Sequence, residues 1–133
     1  MATLRKEIET AASPEDVWAA IEDIGALHTR LVPGFVTATR LEPGARVVTF
    51  ANGWSVREPI VTVDAQTMRL VWTAEGGITT HYNAALQVFA RPGGGTRVAW
   101  TVDLLPDEAG AKIAPMMEAG MIAMQTALDR LAR

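Results

Sequence analysis

Cysteine is absent from the 133 residues. That excludes a disulfide framework, a thiol nucleophile and a thiolate metal site. Histidine is scarce: His28 and His81 lie far apart, and no carboxylate–histidine cluster has metal-ligand spacing, so no metal is expected. Long apolar runs are missing too. No stretch approaches the ~20 residues that span a bilayer, and the N-terminal "MATLRKEIET" has no signal-peptide apolar core. No membrane span and a cytoplasmic location are therefore expected. Positive charge is not in excess: the net charge is −3 with no basic run or basic–aromatic patch, which argues against nucleic acid as a partner. Neither a Ser-His-Asp arrangement nor a phosphate loop is visible, because "PGGG" joins two strand patterns rather than a strand and a helix. No cofactor is expected.

What is present is an ordinary globular composition, 49% apolar and 20% charged, in a length that suits one domain, 1–133, with a sizeable core. "TLRKEIETA" suits a first strand. "SPEDVWAAIEDIGAL" starts a helix, with Ser13 as N-cap, Pro14 in the first turn and Glu15 and Asp16 near the positive helix end. Val17, Trp18, Ile21 and Ile24 share its apolar face. "ALHTRL" adds a short second helix before Pro33-Gly34.

Strand patterns follow: "FVTATRLE", "ARVVTFA", "WSVREPIVTVDA", "TMRLVWTAE", "GGITTHYNAALQVF" and "TRVAWTVDLL". Pro43-Gly44, Asn52-Gly53, Asp64 to Thr67 and the glycine run "PGGG" supply turns between them. The last element runs from Pro106-Asp107, and Ile113, Met117, Gly120, Met121, Met124, Leu128 and Leu131 repeat with helical spacing. Pro115 inside it should kink the helix or mark where its regular part begins. Short hairpin links imply an antiparallel sheet, and one long amphipathic helix must bury its stripe against it. The expected class is α+β: an antiparallel sheet wrapped around a long C-terminal helix, with two short helices after the first strand.

The last hairpin can be put in register. With "RPGGG" as its loop, Ala90 faces Thr96, Val88 faces Val98, Leu86 faces Trp100 and Asn83 faces Asp103. One face then carries Tyr82, Ala84, Leu86, Val88, Val98, Trp100, Val102 and Leu104. The other carries His81, Asn83, Ala85, Gln87, Ala99, Thr101 and Asp103. Alternation alone puts the apolar face in the core and the polar face in water.

The order of elements resembles the helix-grip fold of the SRPBCC superfamily, which includes START domains, the birch-pollen-allergen fold, plant abscisic-acid receptors and polyketide cyclase/dehydrase-like proteins. "ASPEDVWAAIEDIGALHTRLVPG", "GWSVREPIVTVDAQTMRLVW" and "GGGTRVAWTVDLLPDEAGAKIAPMM" carry the resemblance over essentially the whole chain. The chain is more narrowly similar to the polyketide cyclase/dehydrase-like subgroup. Glu58 and Asp64 match its "E…D", His81 and Asn83 its "H-x-N", and Trp100, Asp103, Leu105 and Pro106 its "W-x-x-D-x-L-P". Tyr82 stands where related sequences often have a second His, so an adjacent His pair has no counterpart here. The resemblance implies a cavity between sheet and C-terminal helix for an apolar or amphipathic small molecule. It does not imply catalysis.

In hormone receptors of the superfamily, the residues aligned with Glu58, Ala99, Thr101 and Asp103 point into the cavity. That implies the opposite parity from the one alternation favours. It places His81, Asn83, Gln87, Thr101 and Asp103 in the pocket and Trp100 outside, covered by a partner subunit or partly exposed. Taken together, the two lines give the inward polar face as the expectation, with a monomer or a homodimer both open. The chemistry would then be acid–base. Glu58 in an apolar cavity would have a raised pKa, and a surface Glu beside Arg57 is the alternative. His81 would shuttle protons, Asn83 or Gln87 would stabilise an enolate, and Asp103 would orient His81. Such a set suits proton abstraction beside a ketone, then aldol closure or dehydration, a metal-free lyase-type reaction. Trp72, Gln87, Thr101, Met117, Gly120, Met121 and Met124 are the expected ligand contacts. The methionines suit a core stripe or an adaptable cavity wall. Gly120 costs about 1 kcal/mol against Ala in mid-helix, which room for a ligand or close strand packing would explain. Trp54 could flank a ligand or simply pack. His28 and Arg30 suit either a cavity entrance or a solvated loop. Two functions stay open: cyclase/dehydrase-like chemistry, or a non-catalytic carrier or sensor of a hydrophobic ligand.

Overall fold

The computed structural model describes residues 2–132. Seven strands form one antiparallel sheet: β1 (Ala2–Thr10), β2 (Val36–Glu42), β3 (Ala45–Phe50), β4 (Ser55–Asp64), β5 (Arg69–Thr73), β6 (His81–Ala90) and β7 (Thr96–Leu105). Their spatial order is β1-β7-β6-β5-β4-β3-β2. Every link from β2 to β7 is a hairpin, so each strand lies beside its predecessor. The first strand instead closes onto the last.

Helix α1 (Pro14–Glu22) follows β1, and helix α2 (Gly110–Leu131) ends the chain. Ser13 caps α1, its hydroxyl accepting from the Asp16 N–H at 3.1 Å, and Val17, Trp18 and Ile21 are buried as the spacing predicts. The second short helix is shorter than expected. Ile24–Ala26 forms a 3-10 turn and Leu27–Leu31 a single π turn. "GGITTHYNAALQVF" is a strand only from His81; Gly76 and Gly77 have φ of +89° and +76° and belong to the loop before it. Glycine takes such angles without the steric cost a Cβ brings. Pro115 does not interrupt α2, which runs unbroken.

The β6–β7 register is the one read from the sequence: Ala90 with Thr96, Val88 with Val98, Leu86 with Trp100, Asn83 with Asp103. β2 and β4 each carry an irregularity, between Val36 and Ala38 and between Ile60 and Thr62. Such bulges bend a strand and increase its twist, which helps the sheet enclose α2. Met117, Met121, Met124 and Leu128 of α2 are buried against Leu70, Ala84, Leu86, Val98, Val102 and Leu104 from the sheet.

Candidate ligand-binding site

The parity of β6 and β7 decides the site. Ala84, Leu86, Val88, Val98, Val102 and Leu104 are buried on the face toward α2, and Tyr82 and Trp100 pack with them. The inward polar face expected above is therefore corrected. His81 is exposed at the start of β6. Asp103 accepts from the Thr3 hydroxyl at 2.6 Å on an exposed surface. Thr101 accepts from Arg5 at 3.3 Å, and the Gln87 amide donates to the Thr67 carbonyl. Asn83 shares this face, between Thr73 and Asp103. None of the five lines the cavity among the described residues. The physical reason is desolvation: an amide, a carboxylate or an imidazole turned inward needs a buried partner, and the buried stripe of α2, Met117, Met121, Met124 and Leu128, is apolar. Trp100 is correspondingly inside, not on an outer dimer face.

A pocket opens between α2, the segment from Leu27 to Val36 and the inner faces of β3 to β7. The volume open to the centres of water-sized molecules is about 120 Å³, roughly tenfold what one buried water requires. Leu27, Leu31, Phe35, Val48, Phe50 and Leu86 give it apolar walls, with Ile113, Met116, Met117 and Met124 from α2. Trp54, 51% exposed, and Ile78 stand at the mouth with Gly76 and Gly77. Of the ligand contacts expected from the sequence, Trp72, Met117 and Met124 line the pocket. Met121 is buried in the core instead, and Gly120 lies beneath two rings: a Cβ there would sit 3.0 Å from Trp100 and 3.1 Å from Phe35. Close packing accounts for that glycine. Outside the pocket, Arg30 pairs with Asp23 at 2.9 Å in solvent and His28 with the Thr39 hydroxyl at 3.1 Å. Asp64 accepts from the Gln66 and Thr67 N–H groups and shapes the β4–β5 turn.

One polar cluster lies in these apolar walls. Glu58, only 6% exposed, faces the cavity from β4. Its Oε1 accepts from Arg46 Nε at 2.8 Å. Arg46 is 2% exposed, donates also to the Ile24 carbonyl at 3.3 Å and stacks 5.3 Å over the Trp72 ring. Arg57, the neighbour that would have kept Glu58 at the surface, points the other way to Glu42 and Glu75. Burial pushes the Glu58 carboxyl above the usual carboxylate range. The Arg46 charge and hydrogen bond pull it back, with a weaker pull from the Trp72 indole, which lies near but outside ordinary hydrogen-bond geometry. Tyr82, also in the wall, has its hydroxyl pKa raised by burial and by Glu58, so it stays protonated as a donor.

Arg46 is a polar pocket residue that the motifs alone do not single out. A signal existed: a hairpin closing over Ala51 to Gly53 pairs Arg46 with Glu58 across β3 and β4, and opposite charges facing each other on one side of a hairpin are a recognisable pair.

An antiparallel sheet gripping a C-terminal helix, with a pocket between them, defines a helix-grip protein of the START/SRPBCC type. The chain belongs to the family described as polyketide cyclase / dehydrase and lipid transport, whose model matches residues 1–133. No curated protein is detectably similar in sequence. Among solved structures, a protein from Thermobifida fusca is 29% identical with a TM-score of 0.79, covering 98% of this chain and 95% of its own. Truncated norcoclaurine synthase from Thalictrum flavum is 19% identical with a TM-score of 0.74, over 98% and 92%. A START superfamily protein from Mycobacterium smegmatis is 12% identical with a TM-score of 0.71, over 96% and 94%. At the identities of the last two, the likeness is one of fold. Among the described residues no group of metal-ligating side chains occurs, and no helix is long and apolar enough to cross a membrane.

Proposed function

We propose that the protein binds an apolar or amphipathic small molecule in the pocket between sheet and α2. The observation that carries this reading is an apolar pocket with a few convergent polar groups, Arg46, Glu58, Trp72 and Tyr82, in its wall. Ligand sites have this composition: hydrocarbon for affinity, a few fixed polar atoms for orientation. The family description, which includes lipid transport as well as cyclases and dehydrases, agrees with a carrier or sensor. Native mass spectrometry of freshly purified protein tests it. The expected result is a non-covalent adduct that disappears in Leu86→Trp, where the larger ring fills the pocket. No adduct, together with no saturable binding of apolar probes, would overturn the reading.

A second reading, cyclase- or dehydrase-like turnover, is favoured by the raised pKa of Glu58 beside the Tyr82 hydroxyl. It rests on Glu58 as acid or base and Tyr82 as donor, without His81, Asn83 or Asp103. Under it, Glu58→Gln abolishes turnover of a recovered ligand while binding persists. Turnover by the variant at the wild-type rate would end this second reading.

A further inference from the structure

The polar cluster is incomplete in a specific way. Among the described residues, Glu58 Oε2 receives no hydrogen bond of ordinary geometry, since Arg46 takes Oε1 alone. The Trp72 indole N–H is buried without an acceptor, although the residue is 96% buried by its 4% exposure. The two groups are neighbours. Trp72 pairs with Ile60, two residues from Glu58 on the same face, a diagonal spacing that long and aromatic side chains bridge. Arg46 ties them together from above, bonded to Glu58 and stacked on Trp72. The Trp100 N–H, in the same wall, is unpaired as well. Trp18 also has an unpaired N–H but lies outside the cavity wall. A buried donor without an acceptor costs free energy until something satisfies it, and the Glu58 carboxyl in the pocket wall keeps its second oxygen open to accept.

A hydroxyl group satisfies both, because it donates one hydrogen bond and accepts another. A ketone or ether offers no proton to Glu58. A carboxylate meets the negative charge of Glu58, and the cation that would welcome it, Arg46, is already paired. We infer that the pocket selects an uncharged, hydroxyl-bearing apolar ligand, its O–H donating to Glu58 and its oxygen accepting from Trp72. This rests on the ligand-binding reading above and adds the chemical class of the ligand.

Isothermal titration calorimetry at pH 8 with 2-naphthol, 2-methoxynaphthalene and 2-naphthoate tests it on one aromatic body with three head groups. The expected order is 2-naphthol tightest, the ether weaker by about three- to tenfold, the range of one net hydrogen bond, and 2-naphthoate weakest. Trp72→Phe weakens 2-naphthol by a similar factor. Arg46→Met/Glu58→Leu, which removes the ion pair as a unit and so leaves no lone buried charge, abolishes the preference for 2-naphthol over the ether. Equal affinities for all three probes, or tightest binding of 2-naphthoate, would overturn the hydroxyl inference while leaving ligand binding intact. A preference for 2-naphthol that survives in the double variant overturns it too. If none of the three binds the wild type, the hydroxyl inference is overturned; if native mass spectrometry also shows no adduct, the ligand-binding reading fails with it.

Discussion

At the residue scale, the Arg46–Glu58 pair has the most to lose. Both side chains are almost fully buried, and removing one partner strands the other charge in a low-dielectric wall, a cost of about 3–5 kcal/mol. Arg46→Met and Glu58→Leu should each lower the unfolding free energy from denaturant titration by that order, while the double variant should lie much closer to wild type; equal damage in all three would contradict this. The pH behaviour follows from the same burial. A carboxyl whose pKa is raised on folding binds its proton more tightly in the folded state. Its contribution to stability is therefore present below the ordinary value of 4.5 and is lost as pH rises through the folded value. Carboxyl NMR of Glu58 should show a midpoint above 4.5, higher still in Arg46→Met, where the lowering influence of the guanidinium is gone. The exposed Glu7 and the half-buried Glu42, held low first by hydrogen bonds from Arg5 and Arg57 respectively, work in the opposite sense: their stabilisation is lost as pH falls through their folded values.

At the element scale, α2 has two roles that meet at Gly120. Its methionine stripe fills the core, and its glycine lets Trp100 and Phe35, both pocket residues, lie against the helix backbone. Gly120→Ala would gain about 1 kcal/mol of helix propensity, yet its methyl group needs the two rings to move by a few tenths of an ångström. The rings border open space, so they have room to shift into the pocket. The expected outcome is unchanged or slightly higher thermal stability with weaker ligand binding, read by melting temperature and calorimetry on the same sample. A loss of stability with undiminished binding would show that the rings cannot yield. The β6–β7 hairpin has a simpler logic. Its inner face is mainly hydrocarbon, broken by the Tyr82 hydroxyl and the Trp100 N–H, and its outer face carries the side chains that hydrogen-bond to β1 and to the β4–β5 turn.

At the scale of the whole molecule, stability should be distributed by position in the sheet. β7 is paired on both sides from Thr96 to Leu104, to β1 and β6, whereas β2, among the described residues, is an edge strand with β3 as its one partner strand. Amide exchange should be slowest in β7 and β6 and fastest in β2 and the loop from 74 to 80, because local opening of an edge breaks fewer packed contacts. Protection in β2 equal to that in β7 would contradict this picture. Any ligand that occupies the pocket binds the folded state alone and should raise the melting temperature with concentration.

The elements, the turns and the register of the last hairpin were legible in the sequence, because each depends on short-range chemistry: Ser13 capping the Asp16 N–H, glycine turns, and period-two alternation along Tyr82 to Ala90 and Thr96 to Leu105. Gly120 left ligand room and close packing both open, and the rings of Trp100 and Phe35 over it decide for packing. The inward face was decided only in three dimensions. Alternation pointed one way and family resemblance the other, and the balance is set by the combined burial of apolar side chains from β5, β6, β7 and α2. The destination of Glu58 was likewise undecided while Arg57 stood next to it and Arg46 twelve residues away. A charge can be buried only where its partner is buried with it: the β3–β4 hairpin sets Arg46 beside Glu58, and tertiary structure alone turned that pair inward.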